Sequence, residues 1–96
     1  SDNDLENISS NEEINFIKGY RVQIVISQNE QELQDVKIEI EKSIDEQTYI
    51  IFELPNYKLR VGNFLNRKEA ENFQKKIVRL GYRTAWVVPT MIEKED

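Results

Sequence analysis

The 96-residue chain contains no cysteine and no histidine, and it has only two prolines, three glycines and one tryptophan. Each scarcity closes a class of function. Without thiols there is neither a disulfide framework nor a thiolate nucleophile, and without imidazole the usual general base and the ordinary zinc ligand are missing as well. The lack of Cys leaves the redox compartment open, because a thiol-free protein is tolerated on either side of a membrane. No apolar run approaches the roughly 20 residues that span a bilayer, and no short apolar segment follows a basic start as in a secretory signal. The chain opens on Ser1 rather than Met, so we expect a processed or trimmed form whose targeting segment lies upstream. Acidic residues outnumber basic ones 18 to 13, a net charge of −5. That balance argues against general nucleic-acid binding, since neutralising phosphates takes clustered Lys and Arg. A chain this short has room for one modest core.

What the sequence does have is a unit used twice. Tyr57 to Glu71, read as a strand, a turn and a capped helix, can be slid back so that Tyr57 falls on Tyr20; a cation, alternating aliphatics, Asn and Glu then stay in register. In the first copy Tyr20, Val22, Ile24 and Ile26 alternate with Arg21, Gln23, Val25 and Ser27, the pattern of a half-buried strand. Asn29 with Glu32 reads as a capping box, and Leu33, Val36, Ile40 and Ile44 recur at helical spacing until Asp45-Glu46-Gln47 breaks the run. Thr48 to Leu54 is β-branched and aromatic enough for a second strand, and Pro55-Asn56 supplies a tight turn into a third, Tyr57 to Gly62. Asn66 and Glu69 repeat the cap, Ala70, Phe73, Ile77 and Leu80 repeat the buried stripe, and Gly81 ends the helix as a left-handed residue. Arg83 to Val88 makes a fourth strand that Pro89 stops.

The ends lack such order. Residues 1–18 are rich in Asn, Ser, Asp and Glu and read as a flexible linker, with Ser10-Asn11-Glu12-Glu13 available to cap a short helix leading to Phe16 and Ile17. Residues 90–96 read as an acidic tail, which leaves 19–89 as the domain. The β-α-β-β-α-β order gives an α+β fold of the ferredoxin-like kind, a four-stranded antiparallel sheet with two helices on one face. The opposite face is open. With strands one and three central, it displays Arg21, Gln23, Lys58 and Arg60 together with Thr84, Trp86 and Val88 of the fourth strand.

Gly19 to Ile24, the duplicated unit, Lys58 to Phe64 followed by Arg67-Lys68-Glu69-Ala70-Glu71, and the closing Gly81 to Pro89 together resemble a SPOR domain. The resemblance covers about residues 19 to 89. It implies a peptidoglycan-binding module that recognises glycan strands from which amidases have removed the stem peptides. Such modules are usually attached to larger envelope proteins and collect at division septa. That implies a periplasmic or cell-envelope location, with divisome or envelope partners reached through parts of the protein beyond this chain. In the family the ligand lies across the open face, contacted by a Gln of the first strand, a basic residue of the third and an apolar residue of the fourth. Those positions match Gln23, Lys58 and Trp86. The sequence departs from the family pattern at Val25-Ile26-Ser27, where a Gly-x-Phe or a Ser after a small residue is usual; Ser27 is carried as a further contact.

Each of these residues also has a plain reading. Gln23 is an ordinary polar strand residue, and Arg21, Lys58 and Arg60 are solubilising charges on a wetted face. Trp86 is a core residue if the strand's phase slips by one. Glu39, Glu41, Glu71 and Asp35 lie off the apolar stripes, on solvated helix faces. With neither a nucleophile nor a paired acid and base, the chain reads as a non-enzymatic binder that needs no cofactor or metal. Two other functions share the element order. An RNA-binding RRM would need a second outward aromatic in the first strand, and a regulatory domain of ACT type would bind at helices and loops.

Overall fold

Alternation and capping, the two strongest local signals in the sequence, set the architecture. A computed structural model describes residues 15–94. The elements are β1 (Asn15–Ser27), α1 (Glu30–Glu41), β2 (Thr48–Glu53), β3 (Asn56–Phe64), α2 (Arg67–Arg79) and β4 (Trp86–Lys94). The strands form one antiparallel sheet in the order β2-β3-β1-β4. This is the expected ferredoxin-like arrangement, with β1 and β3 central.

Both helices contribute to a single core. Leu33 and Ile40 of α1 and Phe73 and Ile77 of α2 pack with Val22, Ile24, Leu59 and Val61 of the central strands, and Ile44 follows just beyond α1. Phe64 meets Phe73 at a ring separation of 5.2 Å, and Gln74 Nε2 donates to the Ala85 carbonyl at 2.9 Å, tying α2 to the chain entering β4. Leu80 caps α2 and is exposed, as Ser43 is in the first copy, so the repeated stripe ends one turn earlier than its spacing suggests.

The caps differ in detail. Asn66 Oδ1 accepts from the Glu69 N–H at 2.9 Å. Asn29 Oδ1 accepts from the Gln31 N–H at 3.0 Å, and the Asn29 N–H donates to Ser27 Oγ at 3.0 Å, whose hydroxyl donates in turn to Glu32 at 2.8 Å. The first capping box therefore closes through Ser27.

Two bulges change which residues face where. Between Gln23 and Val25 the β1–β3 register slips, so that Gln23 pairs with Arg60, Val25 with Leu59 and Ile26 with Lys58. The extra residue reverses the phase: Val25 packs against the core, and Ile26, expected inward, is 47% exposed beside Lys58. The second slip lies opposite Tyr20 and Val22 and inserts a residue into β3 at Gly62, which has φ of +85°. A side chain there would run into the Phe64 ring. Simple alternation puts Gly62 outward; with the bulge, Asn63 takes the open face and Phe64 the core.

The first and last strands also run further than expected. Asn15 to Lys18 and Thr90 to Lys94 are strand, paired from Asn15 opposite Lys94 to Gly19 opposite Thr90. Phe16 and Ile17 are thus in β1 rather than in a short helix, and β4 runs through Pro89. Because β4 is an edge strand, a residue with no N–H is accommodated with that side turned to solvent. The pairing is fixed by Ile92, fully buried over Gly19, where an added Cβ would meet its side chain and the Phe64 carbonyl. The expected cap at Ser10 to Glu13 and the rest of residues 1–14 lie outside the described residues, as do positions 95 and 96.

Candidate functional site

Strand register lays the open face out in rows. The central row crosses all four strands: Tyr49 of β2 pairs with Arg60 of β3, Arg60 with Gln23 of β1, and Gln23 with Trp86 of β4. On one side of it lie Ile51, Lys58 and Ile26; on the other, Arg21 pairs with Val88 and reaches Asn63. With neighbouring strands about 4.8 Å apart, Arg60 to Trp86 spans roughly 10 Å, the scale of a disaccharide.

Trp86 is 59% exposed, while its neighbours Ala85 and Val87 pack against the core. The indole thus stands on the open face, as the alternation requires. Beside it is a shallow groove lined by Gln23, Ile24, Val25, Ile26, Thr84 and Trp86. Thr84 falls in the turn before β4 rather than in the strand, and its hydroxyl donates to the Ile24 carbonyl at 2.6 Å. That bond satisfies a carbonyl of the bulged segment just where β4 pairing stops.

Gln23 and Arg21 lie on this face but are largely withdrawn from water, at 5% and 6% exposure. Gln23 Oε1 accepts from Arg60 Nε at 3.0 Å. The Arg21 guanidinium donates from Nε and Nη2 to Asn63 Oδ1, at 3.3 and 3.0 Å, and stacks 3.8 Å from the centre of the Tyr49 ring. Asn63 Nδ2 donates in turn to Tyr49 Oη at 2.6 Å. Arg21 is therefore interior to a three-residue network and is not a solubilising charge.

Lys58 and Arg60 remain at the surface of the face. Both approach Glu53 Oε1, Lys58 Nζ at 3.4 Å and Arg60 Nη2 at 3.3 Å. Ser27, expected among the contacts, lies outside the groove and is engaged by Asn29 and Glu32 in the turn before α1. Of the six sequence candidates, Gln23, Arg60, Lys58 and Trp86 come together, Arg21 lies to one side of them committed to Asn63 and Tyr49, and Ser27 stands apart.

Sequence reasoning missed Tyr49, Asn63 and Glu53. Tyr49 and Glu53 share the phase of β2 that points away from the Ile50–Leu59 side, a signal available once Ile50 is taken as the inward residue. Asn63 had no such signal, because its orientation depends on the Gly62 bulge. The acidic residues of α1 are on a solvated face, as expected: Glu39 pairs with Lys42, and Glu41 with Lys37. No described helix is long and apolar enough to cross a membrane.

As chemistry, the face offers a flat aromatic surface, a fixed amide and two cations. It has the groups to hold a ligand that is part apolar, part hydroxylated and part anionic. A family model described as SPOR domain matches residues 17–89. No curated protein and no solved structure matches the chain.

Proposed function

The chain belongs to the SPOR domain family, and from that premise we propose that it is a non-catalytic module binding peptidoglycan glycan strands stripped of their stem peptides, within a cell-envelope or cell-division protein. The family is one of binding domains, known for peptidoglycan binding in cell-division proteins. The observation that carries the reading to this chain is the row Arg60–Gln23–Trp86, in which a cation, an amide and a 59% exposed indole stand side by side.

Each member suits a part of the ligand. The indole face takes the CH-rich face of a sugar ring, as aromatic platforms do for other flat groups. Gln23, with Oε1 fixed by Arg60, presents its amide N–H groups to sugar oxygens. Arg60 and Lys58 suit the lactyl carboxylate that amidase action leaves on each muramic unit. The RNA reading loses ground here, because the Tyr49 ring is covered by Arg21 and β1 offers no aromatic beside Trp86 for a second base. The location that goes with this reading is the periplasm or cell envelope.

The test is sedimentation of the pure domain with purified sacculi, before and after amidase treatment. Retention that rises with amidase treatment, with no release of soluble sugar, is the expected result. Retention on RNA equal to that on glycan at physiological salt would overturn it.

A further inference from the structure

The face proposed for the glycan already holds a carboxylate of its own. Glu53 Oε1 sits between Lys58 Nζ and Arg60 Nη2, and Arg21 is committed to Asn63 and Tyr49. The cations this face offers an anionic ligand therefore both lean on one oxygen of one side chain.

The three partners are held unequally. The side chains of Lys58 and Arg60 are 22% and 13% exposed, and that of Glu53 is 52% exposed. Arg60 is also fixed to Gln23 through Nε at 3.0 Å, so its guanidinium keeps its place whether or not Glu53 is there. Glu53 ends β2 at an edge of the sheet, next to the turn at Leu54 and Pro55, and can turn outward without disturbing the core. The carboxylate is the solvent-open member of both pairs, and a pair screened by water on that side is weak, so displacing it costs little.

We propose that Glu53 is a displaceable stand-in for the ligand's carboxylate and sets the selectivity of the face for anions. The inference rests on the glycan-binding reading and adds which ligand group is read: a carboxylate presented to Lys58 and Arg60 together. Because Glu53 is tethered, it competes at the high effective concentration of an intramolecular group. Free anions lose to it. A carboxylate on a sugar already anchored at Trp86 and Gln23 is likewise held in place, and exchanges with Glu53 on equal terms. The stand-in thus keeps the cations from filling with unrelated anions and keeps glycan binding reversible.

The test is Glu53→Gln, which retains an oxygen able to accept from both cations and removes only the charge. Two ligands are titrated into isotopically labelled wild type and variant: N-acetylmuramic acid, which bears the lactyl carboxylate, and N-acetylglucosamine, which lacks it. The side-chain signals of Arg60 and Gln23 report binding. In the variant, N-acetylmuramic acid should bind about threefold to tenfold more tightly at low salt, the scale of one or two exposed charge contacts. That gain should shrink as salt is raised, and N-acetylglucosamine should titrate alike in both proteins. An equal or weaker response of Glu53→Gln to N-acetylmuramic acid would show that Glu53 positions the cations or is idle, and would overturn the proposal. Failure of the wild type to sediment with sacculi would instead remove the glycan reading, and the comparison with N-acetylmuramic acid would still decide the role of Glu53.

Discussion

Replacing Arg21 by Ala tests whether the open face is built on an interior polar network. The guanidinium makes a charge-assisted bond to Asn63 Oδ1 and lies 3.8 Å from the centre of the Tyr49 ring, at 6% exposure. Hydrogen bonds to charged groups contribute about 1.5–3 kcal/mol, and a desolvated cation–π contact about 2. Some of this is recovered, because Asn63 Oδ1 still faces the Glu93 N–H at 3.4 Å and Asn63 Nδ2 still donates to Tyr49. The expected loss is therefore about 3 kcal/mol. For a domain of this size that is a fall in melting temperature of roughly 12–24 °C, read by circular dichroism and checked by urea titration. Arg21→Lys should recover less than half, since an ammonium has neither the two-pronged geometry nor the flat face that Asn63 and Tyr49 use. A loss under about 1 kcal/mol for Arg21→Ala, or full recovery with Lys, would refute the argument. Arg21 would then be a surface charge free to meet a ligand.

Trp86→Ala should leave the melting temperature within a few degrees of wild type, because a ring 59% exposed leaves no core cavity. It should also weaken binding to sacculi by about 1–3 kcal/mol, taking base–aromatic stacking as the analogue; a folded variant that binds like wild type would remove Trp86 from the site. Lys58→Ala should weaken binding by about 1 kcal/mol or less and reduce its salt dependence, and binding that ignores salt in both proteins would show the cations to be bystanders. Gly62→Ala and Gly81→Ala form a contrast in urea titrations. Both have positive φ, +85° and +111°, but only at Gly62 does a methyl group meet another side chain, that of Phe64. We expect about 1 kcal/mol at Gly81 and at least about 2 at Gly62, and equal losses would show that the ring moves aside freely.

The parts of the fold legible in the sequence are those fixed by neighbours along the chain. The α1 and α2 stripes, the Asn caps and the phases of β1 up to Gln23, of β3 up to Val61 and of β4 at Trp86 need only local spacing, and those phases put Gln23, Lys58, Arg60 and Trp86 on one face. What escaped depends on pairing between distant residues. Asn15 to Lys18 and Thr90 to Lys94 carry little strand pattern singly, and each becomes strand because the other is there and Ile92 closes over Gly19. Pro89 signals a stop only where its N–H position must face a partner, and an edge strand leaves every other such position to solvent.

The same cause governs the site. Arg21 reads as a solvated charge until Tyr49, from the far edge strand, and Asn63, turned outward by a bulge, enclose it. Glu53 was hidden in a different way. Tyr49-Ile50-Ile51-Phe52 is an unbroken apolar run with no visible alternation, so nothing local says that the next residue faces the cations. Only the pairing of Ile50 with Leu59 fixes the phase, and with it the place of a carboxylate between Lys58 and Arg60. Sequence pattern thus locates groups that act singly, such as the Trp86 ring. Charge balance at a site is a sum over strands distant in the chain, and a count of three outward cations overstated it: one is interior, and the other two share a carboxylate.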